Sequence, residues 1–224
     1  MDISWTTVII VILLIVIVYF IWGMISSSSP EVSTGTTKIT TSTSLAISSS
    51  TNSFTFSTWI AINRWTSTGG NLISTPTDAV AASVFALKLG TTINQLNLSI
   101  GTIATTFTTV GLVPLQTWAS IIVSVNGGNS ADVYINGKLV RTIALTATYL
   151  LPAGTITVGG TTGAVDGYIS TKFDNKSIGP QDAWNIYSSG YGGGGGSGVG
   201  DFFNKYKIRF AFVKDNVELS RLDI

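Results

Sequence analysis

The side chains that carry most enzyme chemistry are scarce in this chain of 224 residues, which has no His and no Cys. Disulfides, thiolate nucleophiles, Cys/His zinc sites and the Ser-His-Asp and Cys-His arrangements are all excluded. What remains is 11 Asp and Glu against 12 Lys and Arg. Glycoside cleavage needs two carboxyl groups facing each other across the scissile bond. The acids here are scattered, and Asp215 and Glu218 in the tail are the pair that lies close. Calcium needs several oxygen ligands, and Asp78, Asp132 and Asp166 are isolated in sequence. The sequence therefore predicts no catalytic residue, no metal ligand set and no cofactor. A net charge of +1 provides no field that would draw nucleic acid. The run GYGGGGGSGVG at 190–200 lacks the Lys-Ser/Thr ending of a phosphate loop.

Binding chemistry has more candidates. Trp65 and Tyr191 sit in segments read as loops, where an aromatic ring can serve as a platform for a sugar, although such rings more often pack. Lys205, Lys207 and Arg209 alternate with Tyr206, Ile208 and Phe210, giving a strand with a basic face that can add to a neighbouring protein. Asp201, Asp215, Glu218 and Asp223 balance that stripe, which argues against nucleic acid. Two sequons, Asn97-Leu98-Ser99 and Asn175-Lys176-Ser177, are acceptors for N-glycosylation in a secretory lumen.

The elements that must position these residues fall into four stretches. Residues 1–25 hold an uncharged apolar run, Val8 to Ile25, with Ile12 and Ile15 inside it and Tyr19 and Trp22 near one end. As a helix these 18 residues span about 27 Å, the thickness of a bilayer core. Tyr and Trp favour the interface, so the segment is read as a transmembrane anchor. No Lys or Arg precedes the run, which is longer than the apolar region of a usual signal peptide. Residues 26–50 are mostly Ser and Thr and read as a spacer, with some strand character at Ile39, Leu45 and Ile47.

Residues 51–190 show a period of two. Phe54, Phe56, Ile60 and Ile62 alternate with Thr55, Ser57 and Ala61 around Trp59, and the pattern repeats at Phe85–Leu89 and Leu96–Ile100. Trp118–Val125 is a fuller apolar strand. The turn signals Asn126-Gly127-Gly128-Asn129 and Asn136-Gly137 follow, the second being a strong marker of a type I′ hairpin. Gly179–Tyr187, with Pro180 near its start and Asp182 in its first turn, reads as one short helix whose Trp184 and Ile186 cap an end of the domain. Residues 191–224 read as a Gly-rich hinge and a C-terminal hairpin turning at Asp215-Asn216. That hairpin either completes the domain's own sheet or pairs with a neighbour. The fold class is all-β: an antiparallel sandwich preceded by one transmembrane helix.

The runs TWASIIVSV, DVYINGKLVRT, TITVGG and DGYISTKFDNKSIGPQDAWNIYSSG, taken in order, resemble a laminin-G-like, concanavalin A-like lectin/glucanase domain. The matching positions are Trp118, Tyr134, Asn136, Gly137, Gly159, Asp166, Gly167, Ile169, Ile178, Gln181, Asp182, Ile186 and Tyr187, with Phe54 and Trp59 in the opening strand. The resemblance implies a jelly-roll of two antiparallel sheets. It implies little about function, because this fold hosts lectins, glycosidases, adhesion modules and structural proteins. The whole arrangement also resembles minor capsid proteins of large icosahedral double-stranded DNA viruses of algae, through its anchor, its Thr/Ser-rich domain without Cys and its tail GDFFNKYKIRFAFVKDNVELSRLDI. That resemblance implies a single-pass tether between an internal virion membrane and the capsid shell, with lipid and coat proteins as partners. The alternative is a membrane-anchored carbohydrate-binding module.

Overall fold

The structure is a computed structural model that describes residues 32–65, 69–75, 84–101, 108–160 and 165–191, and the backbone of 209–214 and 217–223. Twelve strands lie between residues 32 and 174 in chain order. They are β1 (Val32–Lys38), β2 (Thr43–Ile47), β3 (Phe54–Arg64), β4 (Gly70–Ser74), β5 (Val84–Leu89), β6 (Gln95–Gly101), β7 (Thr108–Leu112), β8 (Trp118–Asn126), β9 (Ser130–Ile135), β10 (Lys138–Ala144), β11 (Gly154–Val158) and β12 (Asp166–Asp174). One helix, α1 (Pro180–Ser188), follows. The strands form two antiparallel six-stranded sheets. Sheet I runs β1-β12-β3-β8-β9-β10 and sheet II runs β2-β11-β4-β5-β6-β7.

The period of two explains why the sheets stack. Alternate residues of a strand point to opposite faces. On sheet I, Phe54, Phe56, Ile60 and Ile62 of β3, Ala119, Ile121, Val123 and Val125 of β8, and Ile169 of β12 are fully buried. Sheet II answers with Leu45, Phe85, Leu87, Leu96, Ile156 and Val158. Phe56 and Phe85 meet across the layers with ring centroids 4.8 Å apart, and Phe173 adds a ring 5.2 Å from Phe56. Each buried aromatic of this kind contributes about 1.5–3 kcal/mol. Thr58 and Thr171 also face inward, fully buried, and satisfy each other through an Oγ1–Oγ1 hydrogen bond of 3.2 Å.

Turns appear where the sequence places them. Asn136 and Gly137 adopt φ of 50° and 72° between β9 and β10, as a type I′ turn requires. Gly127 and Gly128, at φ 57° and 68°, carry the chain from β8 to β9.

Two expectations are corrected. The stretch 26–50 is not spacer throughout, because β1 pairs with β12 and β2 pairs with β11 inside the sandwich. Ile39, Leu45 and Ile47 are buried there, and strand pairing docks the Ser/Thr-rich segment around them. The helix does not cap an end. It lies on the outer face of sheet I, where Ala183 is buried with Ile122 and Tyr134 while Ile178 and Ile186 pack beside them. Trp184 stays 47% exposed. The C-terminal strands β13 (Arg209–Lys214) and β14 (Val217–Asp223) form a two-stranded antiparallel sheet of their own. Ser29–Gly193 is one compact unit, and this hairpin belongs to the other. Among the described residues no helix is long and apolar enough to cross a membrane, and the predicted anchor residues Val8, Ile12, Ile15, Tyr19, Trp22 and Ile25 lie outside the described residues.

Candidate functional site

The outer face of sheet I carries two parallel rows of side chains, fixed by strand register. One row reads Lys38, Tyr168, Ala61, Trp118 across β1, β12, β3 and β8. The next reads Thr36, Ser170, Trp59, Ser120 across the same strands. Both are the alternate set to the core residues, which is why Trp59 and Trp118 are half-buried rather than buried.

The chain after β12 folds back over these rows. Thr55 Oγ1 donates to the Lys176 carbonyl at 2.7 Å, and the Ile178 N–H donates to Ser124 Oγ at 2.9 Å, so the approach to α1 is tied to the sheet. Gly179 caps the helix, and Pro180 occupies its first turn without losing a hydrogen bond. Gly137 lets the helix settle closely, since a Cβ there would stand 2.9 Å from the Trp184 ring and 3.0 Å from Tyr187 Cβ. At the far end the Gly190 N–H donates to the Tyr187 carbonyl at 3.0 Å, with Gly190 at φ 78°. This left-handed cap reverses the chain, and the next residue, Tyr191, comes down on the sheet.

The result is an aromatic cluster. Tyr191 stacks on Trp118 with centroids 3.6 Å apart and planes 9° from parallel. Tyr187 lies 6.3 Å from Trp59 at 17°, Tyr191 meets Trp59 edge-on at 6.1 Å, and Trp184 sits 5.6 Å from Tyr187. The Tyr191 hydroxyl pairs with Thr36 Oγ1 on edge strand β1. Tyr168 stands apart and is 41% exposed. Two hydroxyls on this face lack partners among the described residues although both residues are buried: Ser120 Oγ, in register beside Trp59, and Tyr134 Oη, whose side chain packs with Ala183 of α1. Burial, then the carboxylates of Asp132 and Asp182, push the Tyr134 phenol above its usual pKa.

Of the residues singled out from sequence, the cluster contains Tyr191. Trp65 sits elsewhere, packed half-buried against the main core with its indole N–H donating to the Gly90 carbonyl at 3.3 Å. Lys205 and Lys207 lie outside the described residues, and Arg209 opens β13. Asp132 and Asp166 are on β9 and β12, with β8 and β3 between them, so they do not converge; Asp78 lies outside the described residues. Asn97 is 7% exposed, and its Oδ1 accepts from Thr109 Oγ1 at 3.1 Å, whereas Asn175 is exposed in the bend after β12. Sequence reasoning missed Trp59, Trp118, Tyr168, Trp184 and Tyr187 as a group. One signal was available: Trp59 and Trp118 occupy the alternation positions that a one-sided strand fills with polar residues.

With this geometry in place, residues 33–178 match the concanavalin A-like lectin/glucanases superfamily, in its laminin-G-like form. The chain belongs to that superfamily. Solved structures similar to it include three botulinum neurotoxin structures. A binding domain of the DC toxin in complex with rat synaptotagmin II has a TM-score of 0.52 and 18% identity over 66% of this chain and 40% of that one. The same toxin's binding domain in complex with SialylT has a TM-score of 0.52 and 18% identity over 71% and 42%. A type C toxin structure, described as dependent upon interaction with two ganglioside molecules for getting into cells, has a TM-score of 0.50 and 18% identity over 71% and 42%. This chain thus spans about two fifths of their length, and at such identity the likeness shows the fold. No curated protein matches the chain.

Proposed function

We propose that this chain is a carbohydrate-binding module held at a membrane, with the sugar taken on the aromatic outer face of sheet I. One observation carries the reading: Trp59, Trp118, Trp184 and Tyr187 gather on one face, with Tyr191 resting on Trp118, beside the hydroxyls of Thr36, Ser170 and Ser120. A pyranose offers an apolar C–H face and a rim of hydroxyls. Aromatic faces, which are electron-rich, and short hydroxylic side chains complement both. A similar fold in complex with SialylT, and another from a toxin whose cell entry is dependent upon interaction with two ganglioside molecules, add support by analogy. The uncharged run Val8–Ile25 supports the anchor. The experiment is a glycan array probed with the full chain in detergent micelles, beside the Trp118→Ala variant. Binding that the variant loses upholds the reading; an array on which the wild-type chain is silent sinks it.

A second reading, a structural tether between a membrane and a protein shell, is favoured by a different surface. Strand β10 is the edge of sheet I and is exposed at six of its seven residues, with Leu139 49% and Val140 42% exposed. An open edge of this kind accepts a strand from a partner. Crosslinking mass spectrometry on native particles tests it: links from Lys138, Lys205 or Lys207 to a coat protein uphold the tether. Membrane fractions whose crosslinks stay within this chain would refute it.

A further inference from the structure

We propose that the indole face of Trp118 is the stacking subsite for a sugar ring, and that Tyr191 fills it as an internal stand-in while no ligand is bound. The inference rests on the carbohydrate reading above and adds the subsite and its control.

The stack itself points this way. Aromatic pairs left to their own quadrupoles prefer offset or edge-to-face arrangements with centroids about 4.5–7 Å apart. The other ring pairs on this face, at 5.6 to 6.3 Å, follow that rule. Tyr191 and Trp118 do not: they lie face to face at 3.6 Å and 9°. Something other than ring electronics holds Tyr191 there. One constraint is the left-handed turn at Gly190, φ 78°, which aims the chain back at the sheet. The other is the hydroxyl pair between Tyr191 and Thr36. A flat ring pressed on an indole, with a rim hydroxyl hydrogen-bonded to a strand-edge threonine, is also how a pyranose would sit. The sugar makes the better partner electrostatically, because its axial C–H hydrogens present positive charge to the negative indole face, where a second aromatic presents a negative face of its own.

The floor supports a ligand as well. Ser120 lies on β8 two residues from Trp118, on the same outer face, and is 1% exposed with Oγ unpartnered among the described residues. A buried hydroxyl without a partner is costly. A sugar hydroxyl entering as Tyr191 leaves gives Ser120 Oγ a partner, and Thr36 Oγ1 exchanges the phenol for another hydroxyl of the same ring.

Competition of this kind lowers apparent affinity by the fraction of molecules in which the subsite is open. Tyr191→Ala therefore tightens sugar binding by about 2- to 10-fold, the range set by the strength of one aromatic pair. Tyr191→Phe, which keeps the ring and loses the Thr36 pair, tightens it less. The test is fluorine NMR on the full chain in detergent micelles, labelled with 5-fluorotryptophan. Trp118→Phe assigns the resonance, and methyl β-D-galactopyranoside and methyl β-D-glucopyranoside serve as probes. The expected result has two parts: Tyr191→Ala moves the Trp118 resonance without sugar, and sugar then moves it at lower concentration than in the wild type. A Trp118 resonance indifferent to Tyr191→Ala overturns the stand-in. Sugar binding that leaves Trp118 unmoved overturns the subsite while the carbohydrate reading survives. A Trp118 resonance that answers to Tyr191→Ala but to neither sugar overturns the subsite for these pyranosides, and a silent glycan array beside it removes the carbohydrate reading too.

Discussion

The two faces of sheet I are made by the same three central strands, yet they obey different rules. The inner face is aliphatic and phenylalanine-rich, and Phe54, Phe56, Ile60, Ile121, Val123 and Ile169 are fully buried. The outer face, one residue out of phase, holds Trp59, Trp118 and Tyr168 among serines and threonines, with Trp59 and Trp118 partly covered by Tyr187 and Tyr191 and Tyr168 exposed. Both faces bury aromatic surface, but on the inner one the central threonines Thr58 and Thr171 satisfy each other, and Thr37 Oγ1 on edge strand β1 is the buried hydroxyl without a partner among the described residues. The outer one keeps hydroxyls at its rim and two without partners beneath it. The inner face is therefore read as stability and the outer as recognition.

That contrast can be broken at its strongest point first. Phe56→Ala removes a ring in contact with both Phe85 and Phe173, and is expected to cost about 3–5 kcal/mol in urea unfolding. Trp118→Ala should cost clearly less while abolishing sugar binding, and equal losses from the two would erase the distinction. Gly167→Ala comes next. A Cβ at Gly167 would collide with the Ala61 carbonyl, so overpacking of about 1–3 kcal/mol is expected on a variant that changes neither aromatic row.

The third prediction uses pH. Burial pushes the Tyr149 phenol well above its usual value, and burial with Asp132 and Asp182 pushes Tyr134 up. Above pH about 10 the unfolded chain releases these protons and the folded one keeps them, so stability falls as pH rises, by at most about 1.4 kcal/mol per pH unit for each tyrosine. Below pH 10 neither contributes a slope. Unfolding followed between pH 9 and pH 11 checks it, and a flat profile would contradict the burial of both phenols. The smallest effect is Tyr134→Phe. It deletes a buried hydroxyl without a partner among the described residues and should stabilise the fold by about 1 kcal/mol, whereas destabilisation would reveal a partner for that oxygen.

Much of the sandwich was legible because its signals are local. Alternation at Phe54–Ile62 placed the core face of β3, and Asn136-Gly137 announced its hairpin, since few other dipeptides accept two positive φ values in succession. The strands at 32–47 were harder to read. Thr and Ser dominate them, and what docks them is pairing with β12 and β11, which are more than a hundred residues away. The candidate site was hardest of all. Trp59, Trp118 and Tyr168 are separated by dozens of residues and become neighbours only through register. Trp65, which looked equally free in sequence, turned inward because its indole N–H found the Gly90 carbonyl.

By itself, then, the sequence determined the absence of Cys and His chemistry, the all-β class and the inner face, because residue type and a period of two act over a few neighbouring residues. Only the tertiary structure decided which alternate residues share the outer face, that the helix lies across the sheet, and that Tyr191 rests on Trp118. Strand order and the reversal at Gly190 bring these groups together; strand order leaves no mark within any short stretch of chain, and a glycine after a helix marks a reversal without saying what the next residue will meet.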